Sequence, residues 1–142
     1  MSTSTSGSCL CGTVSYSFTE DISVFQYCHC SRCRKFTGSA YAANLFVKPN
    51  NFKWLTGEHA IGRYQPPETK YLTTAFCKQC GSSLPWRNKP ETLVIIPAGS
   101  LDHDPGTRPQ WNIYCASKAE WEIEPSLLPS YDALPPKNKL NI

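Results

Sequence analysis

The sequence predicts a small, mainly β protein, and three observations carry that expectation. The segment 13–19 sets polar Thr13, Ser15 and Ser17 against apolar Val14, Tyr16 and Phe18, a period of two that suits a half-buried strand and no helix. Short runs of similar character recur at 24–27, 41–47, 52–55, 71–76, 93–96, 112–115 and 121–123. Turn signals separate them at Pro49-Asn50-Asn51, Thr56-Gly57, Pro66-Pro67, 88–90 and 102–106.

Helix is expected only in two short pieces, Ser31–Thr37 and 117–120. From Pro125 the chain carries Pro129, Pro135 and Pro136 with few strand or helix signals, so 125–142 reads as an extended tail. There is no internal repeat and no composition break, and 1–142 reads as one domain.

Composition removes several function classes. A chain of 142 residues can bury roughly 70% of the surface its unfolded form exposes, so disulfides are not needed merely to make a core. With 40% hydrophobic and 18% charged residues it does not resemble a disordered chain. The longest apolar stretch, Leu93-Val94-Ile95-Ile96, falls far short of the roughly 20 residues of a membrane span. Met1 to Ser8 lack both the basic and the apolar regions of a secretory signal, which favours a cytoplasmic protein. A formal charge of +3 with no basic cluster beyond Arg32, Arg34 and Lys35 argues against a nucleic-acid partner.

The cysteines are the strongest signal. Seven of the eight fall into three tight groups: Cys9 and Cys11; Cys28, Cys30 and Cys33; and Cys77 and Cys80. Cysteines two apart on an extended segment point to one face, so Cys9 with Cys11 and Cys28 with Cys30 can each offer two sulfurs to one ion. Cys77-Lys78-Gln79-Cys80-Gly81 suits a metal knuckle in which Gly81 takes a backbone angle closed to other residues. Disulfide staples and iron–sulfur ligation are the competing meanings, and the tight spacings without cluster motifs favour zinc over both.

Seven thiolates cannot fill two four-coordinate sites. Cys9, Cys11, Cys77 and Cys80 would make a closed structural site, leaving Cys28, Cys30 and Cys33 to hold a second zinc with one position open. A competing grouping joins Cys30 and Cys33 to Cys77 and Cys80 as a zinc ribbon, which strands the other three. Zinc on three thiolates carries a formal −1, a poor activator of water and a good partner for a soft sulfur ligand. A small thiol bound there as thiolate points to making or breaking a carbon–sulfur bond.

Gly7-Ser8-Cys9-Leu10-Cys11-Gly12, Cys28-His29-Cys30 with Cys33-Arg34-Lys35, and Phe76-Cys77 with Cys80-Gly81 resemble the glutathione-dependent formaldehyde-activating enzyme and centromere protein V family. Ala98-Gly99-Ser100-Leu101-Asp102 and Ile113-Tyr114 through Trp121 extend the resemblance to about 6–121. It implies a zinc-binding β-tent fold of short antiparallel sheets and two zinc ions, one structural on Cys9, Cys11, Cys77 and Cys80 and one catalytic on Cys28, Cys30 and Cys33. It also implies carbon–sulfur lyase chemistry, such as S-hydroxymethylglutathione formed from glutathione and formaldehyde. The alternative is a non-catalytic, zinc-stabilised binding or chaperone-like module. Asn112 stands where relatives often carry histidine, and Thr74 where arginine commonly precedes Phe-Cys.

Other residues carry weaker signals. His29 should point away from its flanking cysteines, as a packed side chain or a proton shuttle. Arg32, Arg34 and Lys35 could bind substrate carboxylates or simply offset an anionic metal centre. Asp102, His103 and Asp104 read as a polar turn. Trp54, Trp86, Trp111 and Trp121 read mainly as core, and Cys115 as a buried, inert thiol, with a redox role for it disfavoured by its neighbours.

Overall fold

A computed structural model describes residues 3–19 and 21–140. The strands run β1 (Ser4–Ser8), β2 (Ser15–Thr19), β3 (Val24–Cys28), β4 (Ala42–Val47), β5 (Phe52–Thr56), β6 (Ile61–Tyr64), β7 (Thr74–Cys77), β8 (Ser83–Leu84), β9 (Trp86–Arg87), β10 (Val94–Pro97) and β11 (Trp111–Ile113), with helix α1 at Ser31–Thr37. They form three sheets, ordered β1-β2-β5, β11-β3-β4-β10-β9 and β6-β7-β8. The protein is mainly β, with short, largely antiparallel sheets. One pairing departs from the antiparallel expectation: β11 runs parallel to β3, with Ile113 opposite Cys28.

The first two sheets close over one core. Tyr16 and Phe18 of β2 meet Phe25 of β3, Leu45 and Val47 of β4, and Val94 and Ile96 of β10. Removing such side chains from water is the main force holding the sheets together. Strand β2 is more enclosed than its alternation suggests, since Ser17 is buried along with Tyr16 and Phe18. Its partners on both edges, β1 and β5, explain why. A second cluster joins Val14, Ile61, Ala75 and Leu84 around Cys9 and Cys77.

Helix α1 stands where the sequence places it and is held by its ends. The Cys30 sulfur caps the first turn by accepting from the Cys33 N–H at 3.3 Å. At the other end the Gly38 N–H donates to the Arg34 carbonyl at 2.8 Å.

Several expected elements differ. The run 71–76 begins as loop and becomes strand only at Thr74, and 112–115 shortens to a strand ending at Ile113, after which Cys115–Ser117 is a 3-10 turn. The expected helix at 117–120 is absent because that turn is not continued. The segment 121–123 is turn and coil and pairs with no strand among the described residues. Of the tail, Pro125–Leu127 and Lys137–Lys139 are 3-10 turns and the rest of 125–140 is bend and coil, while 141–142 lie outside the described residues. Among the described residues no helix is long and apolar enough to cross a membrane.

Candidate metal centres

The fold gathers seven cysteines into two groups. Cys9, Cys11, Cys77 and Cys80 have sulfur atoms all within 4.8 Å of one another, as do Cys28, Cys30 and Cys33. Cys77 and Cys80 therefore stand with the N-terminal pair, and the ribbon grouping with Cys30 and Cys33 does not form. No cysteine is in a disulfide.

The four-cysteine group is built from two matching turns. After β1 the chain folds back so that the Gly12 N–H donates to the Cys9 carbonyl at 3.0 Å; after β7 the Gly81 N–H donates to the Cys77 carbonyl at 2.8 Å. Gly12 and Gly81 both have φ of +79°, the left-handed region that side chains disfavour. The turns are tied to each other as well. The Leu10 N–H donates to Ser82 Oγ at 2.9 Å, and the Thr13 hydroxyl donates to Gln79 Oε1 at 3.1 Å.

The donor set fits zinc. Zinc–sulfur bonds of about 2.3 Å in a tetrahedron would place sulfurs about 3.8 Å apart. Cys9 and Cys11 are 3.6 Å apart, and Cys11 and Cys77 are 3.8 Å apart. The Val14 N–H donates to Cys9 Sγ at 3.3 Å, stabilising negative charge on sulfur. Hydrogen bonds from the Ser82 hydroxyl and N–H hold the Cys80 thiol down at about 5, favouring its thiolate form.

The three-cysteine group is assembled from a strand end and a helix start. Cys28 closes β3, Cys30 caps α1, and Cys33 lies one turn into the helix. Ala42 and Ile113 pack against it. A hydrogen bond from the Cys33 thiol holds Cys28 at about 6, while the same bond and burial push Cys33 well above the usual thiol range. All three cysteines line a cavity of 570 Å³. Trp86, Phe46, Tyr71 and Leu72 supply apolar wall; Arg32, Lys70 and Glu68 supply charge.

Residues 4–117 match the family model described as glutathione-dependent formaldehyde-activating enzyme. This chain belongs to that family. The match begins slightly earlier and ends slightly sooner than the resemblance in the sequence, leaving Trp121 outside it. No curated protein matches the chain. The fold is similar to a crystal structure of a Rhodobacter sphaeroides protein, a structural-genomics target, with a TM-score of 0.56 and 23% identity over 75% of this chain and 98% of that one.

His29 is buried and turned from the sulfurs; its Nδ1 lies 3.1 Å from Glu122 Oε2 and its Nε2 2.9 Å from Asn112 Oδ1. Asn112 thus serves as a partner for His29. Thr74 sits in β7 and donates to the Tyr64 carbonyl at 3.3 Å. Arg32 lines the cavity, whereas Arg34 and Lys35 do not. Asp104 makes an Asx-type turn with the Gly106 N–H and pairs with Arg108, while Asp102 accepts from the Ser8 hydroxyl.

Two expectations fail here. Cys115 is exposed, because the 3-10 turn carrying it lies past the end of β11. Trp111 and Trp121 are exposed as well, so neither is core, while Trp54 packs on Tyr16 and Phe52. Gln26, Asn44, Lys70 and Glu122 drew no notice in the sequence. Only the pairing of strands, which local pattern does not reveal, brings Gln26 and Asn44 beside the cysteines.

Proposed function

We propose that this protein is a cytoplasmic, zinc-dependent carbon–sulfur lyase acting on a small thiol adduct, with glutathione and formaldehyde as the reference pair. In this reading 1–142 is one zinc-binding domain. Cys9, Cys11, Cys77 and Cys80 hold a structural zinc, and Cys28, Cys30 and Cys33 hold a catalytic one. The observation that carries the reading is the contrast in ligand number: four sulfurs in one group, with Cys9 and Cys77 buried and Cys11 exposed, against three in the other, whose residues line a cavity of 570 Å³.

Zinc bound by three thiolates supplies an open position that favours a substrate sulfur in its anionic form. The chain's own residues do the rest. Phe46, Leu72, Trp86 and Ile113 keep water from the cavity wall, and Arg32 and Lys70 place positive charge where an anionic substrate group can settle. Adding a thiolate to an aldehyde forms one carbon–sulfur bond, opens the carbonyl and requires one proton on the new hydroxyl oxygen. Cleavage reverses each change.

The test is turnover of glutathione and formaldehyde by the zinc-loaded chain, followed by NMR, in native and Cys28→Ser protein. Loss of turnover with about one zinc fewer per chain is expected. Equal rates in both proteins would leave the non-catalytic module as the better reading.

A further inference from the structure

The floor of the three-cysteine cavity carries a polar pair that the fold uses only in part. Gln26 stands opposite Asn44 across β3 and β4, and Cys28 stands opposite Ala42 one step along the same face. Residues two apart on a strand share a face, so the Gln26–Asn44 pair lies beside Cys28 on the cavity floor. Asn44 is 7% exposed and Gln26 is 9% exposed. Both line the 570 Å³ cavity, and Asn44 also lines an adjoining one of 630 Å³ that shares Cys33, Leu72 and Trp86.

Their hydrogen-bonding capacity is largely unmet. Gln26 Oε1 accepts from Trp111 Nε1 at 2.9 Å, which fixes the amide and turns its NH₂ away from that bond. The Asn44 carboxamide makes no hydrogen bond to any described residue. Arg34 Nε is the one fully buried side-chain polar atom without a partner among the described residues, so the unpartnered Asn44 carboxamide is not sealed in the core and opens to the cavity its residue lines. In a pocket with apolar walls, such fixed polar groups orient the ligand.

We propose that Asn44, seconded by the Gln26 NH₂, recognises a secondary amide in the substrate, so that the site selects thiols carrying an amide a few bonds from sulfur. The inference rests on the functional reading above and adds a substrate class to it. A carboxamide offers a donor and an acceptor in one plane, the complement of an amide N–H and C=O. The spacing agrees. Two residues along a strand span about 6.7 Å, and a thiol two or three carbons from its amide reaches roughly 4 Å before a hydrogen bond of about 2.9 Å.

The test is calorimetric binding to the zinc-loaded full chain. N-acetylcysteamine and glutathione carry the amide; 2-mercaptoethanol and propanethiol do not. Asn44→Leu should weaken the amide thiols about tenfold or more while leaving the plain thiols within about twofold and the melting temperature unchanged or raised. Asn44→Ala provides the same comparison should leucine disturb the sheet, and zinc content shows whether both cysteine groups survive. Pantetheine beside glutathione then separates a pantetheine-type thiol from a peptide thiol, and preference for either supports the inference.

Equal weakening of all four thiols would make Asn44 structural, and no weakening would leave it merely hydrated; both overturn the inference. Native protein that binds plain and amide thiols equally overturns it while leaving the lyase reading intact. Native protein that binds no thiol overturns both.

Discussion

Cys9, Cys11, Cys77 and Cys80 sit in two interlocked turns, Cys9 and Cys77 packed among Val14, Ile61, Ala75 and Leu84 and Cys11 exposed, whereas Cys28, Cys30 and Cys33 sit at a strand end and a helix start beside open volume. Both groups use the same ligand atom, and their surroundings differ. In the first, the ligands come from the turn after β1 and from the end of β7 and the turn after it, and β1 and β7 belong to different sheets, so a bound ion would act as a cross-link between sheets. In the second the packed neighbours are few, Ala42 and Ile113 among them, and one side of the group is left to the cavity. Ligand chemistry alone does not assign a role; what surrounds the fourth position does.

The most forceful way to break this contrast is Cys77→Ser. The substitution should lower the melting temperature by more than about 15 °C or prevent folding, because metal binding in such a site is folding free energy. A melt within a few degrees of the native protein would remove the structural assignment. Cys28→Ser should instead shift the melt by less than about 5 °C while lowering turnover about a hundredfold or more. If the two variants unfold alike, the groups do not differ in role.

Gly81→Ala sharpens the comparison from within the four-cysteine group. It forces a side chain into the left-handed region at φ +79° and should cost about 1–2 kcal/mol, or roughly 3–8 °C in the melt. Turnover per folded molecule should be unaffected, since the turn lies outside the three-cysteine group. The smallest effect belongs to Asp104→Asn, remote from both groups. Arg108 holds the Asp104 carboxyl below its usual range, so its contribution is present at neutral pH and fades as pH falls through the lowered value. The pair is exposed, and the variant's melt at pH 7 should differ by no more than about 1 °C, with the difference vanishing in acid.

Much of this was readable from local pattern. The alternation in 13–19 announces β2, and the spacing of the cysteines announces chelation before any contact is known. Strand β1 was not readable, because Ser4–Ser8 is small and polar; it is a strand because β2 pairs with it, and Gly7 leaves room for the Tyr16 ring against its backbone. The two-residue strands β8 and β9 are shorter than any period can register. Conversely 121–123 alternates like a strand yet pairs with no strand among the described residues. Asn44 and Gln26 escaped notice because their shared face with Cys28 depends on register across β3 and β4, a property of two segments rather than one.

The origin of the ligands also sets an order of assembly. Cys28, Cys30 and Cys33 are synthesised within a single short stretch, while Cys11 precedes Cys77 by 66 residues. Closing the longer loop costs about 2 kcal/mol more in chain entropy. On the ribosome the three-cysteine set is complete long before the second turn of the other site has emerged, so the open site can meet its ion in a nascent chain and the closed one only in a finished fold. In the proposed reading, maturation would then run opposite to importance for stability: the ion placed for chemistry would be free to load first, and the ion that cross-links the sheets would load last.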